Sequence, residues 1–259
     1  MPSPPDNKIV YRFSDFTLAN FRRIISKALD YGFSFVSVDE DFSAFNKCLI
    51  WRHDVEFSPE IALKMAKIEA DENVRSNYFF QLHSEYYNVL EKRNSEIVKE
   101  IRNCGHFIGL HFDTHYFNIN SEDEIEKFLR IDKEYFESLF GIKIKAFSFH
   151  NTDKFVLSCK MDSYAGILNV YSEYFKKEFN YCADSTGFWR YELLEDVLKN
   201  PALKRLQVLT HDAMWQDEVM SPRQRIHQTI DKRAKYLKDF YDATLKKYGA
   251  KNVDWNAVF

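Results

Sequence analysis

The stretch Gly105-His106-Phe107-Ile108-Gly109-Leu110-His111-Phe112-Asp113-Thr114-His115 sets two imidazoles four residues apart behind a short apolar run. Ile108, Leu110 and Phe112 alternate with other residues, which suits a strand better than a helix. If His111 closes that strand and His115 lies on the turn after it, both rings can reach one metal ion. Neutral imidazole is the commonest protein ligand for zinc, and a catalytic zinc typically keeps three protein ligands and one open position. A His-x-x-x-His pair alone is weak, so a third ligand, a base and an acid must come from elsewhere in the chain.

Asp54 and Glu56 are the first source. Two residues apart at the end of an apolar strand, they share one face if the strand continues. One carboxylate can then ligate a metal while the other activates water; the bland alternative is an acidic pair ahead of a helix at Ser58-Pro59. Arg52 suits a partner that keeps a carboxylate ionised, whereas His53 points the other way and reads as buried and hydrogen-bonded. His106 reads as structural, Asp113 as an orienting or a solvated carboxylate, and His83 as a groove or a surface-loop histidine. His150-Asn151 end an aromatic strand and can donate to substrate or to a developing oxyanion, or simply form a turn. Asp184, with Trp189 after it, can orient a basic group beside an aromatic wall. His211, followed by Asp212, stands where a general acid is wanted, with an exposed His-Asp turn as the alternative.

The elements that must position these residues alternate strand and helix six or seven times. Asp15 or Thr17 caps a helix carrying Leu18, Phe21, Ile24, Ile25 and Leu29, and Phe33–Val38 reads as a strand. Cys48–Trp51 is a second strand, followed by a helix that Ser58 caps with Pro59 at its first position. Strands follow at Tyr78–Leu82, into His111, at Lys145–Phe149 and at Leu206–Thr210. Charged helices occupy 88–104 and 121–140, the latter stopped by Gly141. The segment 155–183 predicts short strands near Ile167–Tyr171 and Tyr181–Ala183. A short helix near 192–199 and a long one over 222–248 complete the pattern. Such alternation predicts a parallel sheet with helices outside it, of a kind that can close into a barrel. In a parallel barrel the carboxyl ends of strands assemble the chemistry, and those ends carry Asp54, Glu56, His111, His150, Asp184 and His211.

At 259 residues, 45% hydrophobic and 29% charged, the chain is ordinary globular protein, read as one domain over 1–259 with a Pro-rich flexible arm at 1–8. Aromatic content is high at 17%, mostly expected in the core. A formal charge of −3 gives no argument for nucleic acid or an anionic membrane. No stretch approaches the ~20 apolar residues of a membrane span. The start of the sequence carries no secretion-signal pattern, and four widely spaced cysteines read as free thiols, so the expected compartment is the cytoplasm. Oligomeric state is left open.

Together these motifs resemble the polysaccharide deacetylase (NodB-homology) family of carbohydrate esterases, over residues 46–215. The resemblance implies an α/β fold, a distorted (β/α) barrel of about seven strands. Gly105–His115 is similar to the family's Gly-His-x-Ile-Gly-x-His motif, which makes His111 and His115 metal ligands. Asp54-x-Glu56 is similar to its first motif, which makes Asp54 the base and Glu56 the third ligand. Leu209–Asp212 and Asp184–Trp189 look like the last two motifs, which makes His211 the acid and Asp184 its neighbour in the site. Arg52, His150, Asn151 and Trp189 are then the expected substrate-binding residues. Two departures stand out: Glu replaces the usual ligand Asp, and Phe147–Asn151 replaces an Arg-Pro-Pro-Tyr-Gly motif. The Arg-His-Asp-Val-acid and Ser-Phe-His-Asn segments look more like a WbmS-like intracellular branch tied to surface-polysaccharide synthesis.

The expected activity is removal of an N-acetyl group from a sugar by a divalent ion, Zn2+ foremost, with Co2+, Ni2+ or Fe2+ as alternatives. The expected substrate is an N-acetylated sugar, a nucleotide sugar or a lipid-linked glycan. Two rivals stay open: hydrolysis of a non-sugar amide by the same machinery, and an inactive, metal-free glycan-binding protein.

Overall fold

The protein is described by a computed structural model covering residues 12–256; the expected arm at 1–8 lies outside the described residues. The strands are β1 (Ser34–Phe35), β2 (Cys48–Val55), β3 (Asn77–Phe80), β4 (Phe107–Phe112), β5 (Ala146–Phe149), β6 (Ser163–Tyr164), β7 (Ile167–Asn169), β8 (Asn180–Ala183) and β9 (Arg205–His211). The helices are α1 (Leu18–Asp30), α2 (Pro59–Asp71), α3 (Lys92–Asn103), α4 (Glu122–Phe140), α5 (Lys154–Ser158), α6 (Glu173–Glu178), α7 (Leu194–Leu198) and α8 (Pro222–Lys247).

All strands form one sheet in the order β6-β7-β5-β4-β3-β2-β9-β8, with β1 beside the start of β2. Every pairing is parallel except the β6–β7 hairpin. The sheet curls into a half-barrel, so the expected α/β distorted barrel is found. The strand count exceeds seven because β1 and β6 are two-residue strands that local pattern does not announce. The predicted strand over 33–38 shortens accordingly to β1, although Phe33, Val36 and Val38 are buried.

Central β2 is buried along its whole length, as expected of a parallel strand covered on both faces. Its alternate residues separate cleanly. Cys48 and Ile50 pack with Phe79, Phe107 and Ala146 on the inner face. Leu49 and Trp51 pack outward on Phe21, Ile25 and Leu194 of α1 and α7. Arg52 and Asp54 continue the inner column, which brings charge into the bowl.

The helices begin where the sequence places them. Thr17 accepts from Asn20 N at the start of α1, and Ser58 from Ile61 N at the start of α2. Gly141, with φ of 63°, ends α4 in the left-handed conformation that glycine adopts freely. On α1 the inward residue near the end is Ala28, not the expected Leu29, which faces solvent. Helix α8 buries only Arg225 and Thr229, leaving Leu237, Phe240 and Tyr241 exposed.

Gly109, inside β4, has a packing reason. A Cβ there would stand 2.5 Å from the Phe79 ring and 2.9 Å from the Ala146 carbonyl oxygen. Gly109→Ala is therefore expected to destabilise by about 1–3 kcal/mol, the usual range for overpacking a core. A thermal melt several degrees below wild type checks it; an unchanged melt would mean that β3 and β5 yield freely.

Candidate metal centre

Three ligand atoms converge above the bowl. Glu56 Oε1 lies 3.0 Å from His111 Nε2 and 3.0 Å from His150 Nδ1, and the two nitrogens are 3.1 Å apart. Glu56, His111 and His150 are the metal-capable group found among the described residues. A tetrahedral zinc with bonds of about 2.0–2.1 Å holds its ligands about 3.3 Å apart, so the triangle has the right edge length. The donor set, one carboxylate and two imidazoles, is that of a catalytic zinc.

The sheet's curl makes this convergence possible. β2 and β4 are separated by β3, about 9.6 Å apart in a flat sheet. Inward curl and the long glutamate arm close that gap.

His111 is held from behind in the form that could ligate a metal. Ser148 is its register partner on β5, and Ser148 Oγ lies 2.8 Å from His111 Nδ1 and 3.1 Å from Asp54 Oδ1. An ionised carboxylate only accepts, so Ser148 donates to Asp54 and accepts from His111 Nδ1–H. Nε2 is then left with a free lone pair facing the triangle. Sequence reading missed Ser148. The signal was present in Phe147-Ser148-Phe149, where the alternation turns both rings outward and the hydroxyl inward.

Asp54 faces Arg52 Nε at 3.2 Å, and both side chains are buried. Burial disfavours the guanidinium charge, but Asp54 and the hydroxyls of Tyr171 and Tyr181 outweigh it and raise the Arg52 pKa. Arg52 also donates to Tyr171 Oη at 2.9 Å and lies over that ring. Expected to touch substrate, Arg52 has no exposed surface from which to do so. Its position is beneath the site, paired with Asp54.

His211 flanks the triangle, its Nε2 3.8 Å from Glu56 Oε1. Nδ1 is 2.6 Å from Asp184 Oδ1, and the same carboxylate accepts from the His211 backbone N–H and from Trp215 Nε1 at 3.0 Å. Burial alone would lower the imidazole's pKa; Glu56 and Asp184 overcome that and raise it to about 10. Burial would likewise raise the Glu56 carboxyl, but His211, His111 and His150 hold it well below the usual carboxylate range. Asp212, expected beside His211, turns away and accepts from the backbone N–H groups of Glu56, Phe57 and Ser58. It ties the end of β9 to the loop that presents Glu56.

His115, His150 and Trp189 also depart from their expected placements. His115 is not in the cluster: it is exposed, and its Nε2 lies 2.9 Å from the Asn151 carbonyl oxygen. His150, expected to bind substrate, takes the third corner instead, because its backbone N–H pairs with Phe112 O and aims the ring over β4. Asn151 is exposed beside His150 Nε2 at 2.8 Å. Trp189 is 7% exposed and packed on Phe16 and Trp215, so it forms no wall of an open site. His53 pairs with Glu69, His106 with the Ala66 carbonyl, and His83 with Asp132, all away from the triangle.

No protein-family model and no curated protein sequence matches the chain. Among solved structures it is similar to the chitin deacetylase of the fungal pathogen Colletotrichum lindemuthianum, at 18% identity and TM-score 0.42, over 71% of this chain and 81% of that one. It is also similar to the deacetylase PplD of Streptococcus pyogenes in complex with acetate, at 13% identity and TM-score 0.44, over 89% and 93%. A further similar structure is BA3943, a CE4 family pseudoenzyme from Bacillus anthracis, at 16% identity and TM-score 0.40, over 75% and 61%.

Proposed function

We propose that this chain is one catalytic domain that hydrolyses an amide, the N-acetyl group of a sugar, with a divalent metal ion held by Glu56, His111 and His150. The observation that carries the proposal is the triangle of ligand atoms 3.0–3.1 Å apart, with the His211–Asp184 pair facing it. An ion bound there, zinc first among the alternatives, supplies Lewis acidity toward a carbonyl oxygen and makes water a better nucleophile at neutral pH. Asp54, paired with Arg52, takes the proton of the attacking water. His211, kept protonated by its carboxylate neighbours, gives a proton to the leaving amine. Asp184 fixes the ring so that Nε2 faces the reacting atoms.

Exposed rings on the loops that follow β3 and β4 support a sugar as substrate. Tyr116 is 58% exposed and stacks on His83 at 3.8 Å, one residue from His115. Tyr86 packs on Phe57 at 4.4 Å, one residue from Glu56. Flat aromatic faces with a polar tip suit the apolar face of a pyranose. A nucleotide- or lipid-linked N-acetyl sugar inside the cell remains the preferred substrate, and four unpaired cysteines agree with a reducing compartment. No helix of the described residues is long and apolar enough to cross a membrane.

The test is elemental analysis of protein purified without chelator or affinity nickel, followed by acetate release from N-acetylated nucleotide sugars. About one ion per chain, lost in His111→Ala together with hydrolysis, is expected. A wild-type protein that takes up no ion on titration would end the proposal.

A further inference from the structure

His115 has the spacing of a metal ligand and the surroundings of something else. A carbonyl oxygen only accepts, so the His115 Nε2 that meets Asn151 O at 2.9 Å carries a hydrogen, and neither nitrogen of the ring joins the group of Glu56, His111 and His150. The approach is built by the turn after β4. Asp113 Oδ1 accepts from His115 N at 2.8 Å and from Tyr116 N at 3.4 Å, swinging the ring out and across to the end of β5. There it meets an unusual peptide: Asn151 has φ of 45°, a left-handed conformation that asparagine tolerates at modest cost but seldom adopts unsupported. The Asn151 side-chain amide in turn lies 2.8 Å from His150 Nε2. The N–H of His115 thus pins the peptide that directly follows His150.

We infer that His115 is a positioning residue for His150 and not a metal ligand, so that the ligands are the three strand-end residues Glu56, His111 and His150. The inference rests on the metal-centre reading above and specifies which histidines serve it. A group that orients a ligand typically contributes about 10–100-fold in metal affinity, whereas losing the ligand changes the coordination itself.

Cobalt(II) separates the two roles, because its visible spectrum reports the donor set directly. Wild type, His115→Ala, His115→Gln and His150→Ala are titrated with Co2+, with affinity read by competition against a chromophoric chelator and folding by circular dichroism. The expected result is an unchanged cobalt spectrum in His115→Ala with affinity about 10-fold weaker, within the range for an orienting group. His115→Gln, whose amide can still donate to Asn151 O, is expected to recover most of that loss. His150→Ala is expected to alter the spectrum and bind far more weakly. An altered spectrum in both His115 variants, with His150→Ala like wild type, would overturn the inference and restore the His-x-x-x-His pair. A wild type that binds no cobalt would instead overturn the metal centre itself, and with it this assignment.

Discussion

His211→Ala is expected to lower hydrolysis by about 10²–10⁴-fold with metal content unchanged, the range that a positioned acid contributes. The ring stands outside the ligand triangle, 3.8 Å from Glu56, so its removal takes away a proton donor and no ligand. Asp184→Asn tests the same role through pH. With both carboxylates present, His211 keeps its proton to about pH 10 in the metal-free protein. An acid is needed protonated, so activity falls as pH rises through its pKa. Removing the Asp184 charge lowers that pKa, and the alkaline limb of kcat/KM is expected to move toward lower pH. A profile that stays in place while kcat falls would remove His211 from the acid role and leave it a structural one.

Asp54→Asn is expected to have the broadest effect of any single change, because one carboxylate holds two positions. As the base it should account for about 10²–10⁴-fold in turnover. As the acceptor for Ser148 it also sets the His111 tautomer, so metal affinity should weaken by about 10–100-fold. The amide further leaves the buried Arg52 without its counter-charge, and breaking one side of a buried ion pair typically costs about 3–5 kcal/mol. Melting temperature, metal affinity and kcat at saturating metal read these three effects separately. Wild-type turnover at saturating metal would show that the water's proton goes elsewhere, even if the first two effects appear.

The sequence made the positions of strand ends legible and the directions of side chains less so. Ser58-Pro59 and Gly141 announce helix boundaries through local chemistry that tertiary packing does not override. Asp54, Glu56, His111 and His211 could be placed because each ends an apolar run. His115 misleads because closeness in sequence suggests a shared ion, while the Asp113 turn carries the ring outward. The aim of His150 depends on a pairing with Phe112 and on the left-handed Asn151, neither of which a local pattern reveals. Trp189 was decided from still farther away, by Phe16 closing over it. In segment 155–183 the expected strands appear as β7 and β8, whereas β6, α5 and α6 are too short to show a period.

The wide spacing of the three ligands along the chain has a thermodynamic consequence. Glu56 and His111 are 55 residues apart, and His111 and His150 a further 39. An ion joining them acts as a reversible cross-link closing two long loops, each an entropic constraint that the unfolded chain does not otherwise carry. Because the triangle needs β2, β4 and β5 in place, an ion bound there would favour the folded chain over the unfolded one. The midpoint of unfolding then rises with free metal concentration, by RT ln(1 + [L]/Kd). The half-barrel, open between β6 and β8, would thus gain cohesion from the same ion that would give it chemistry.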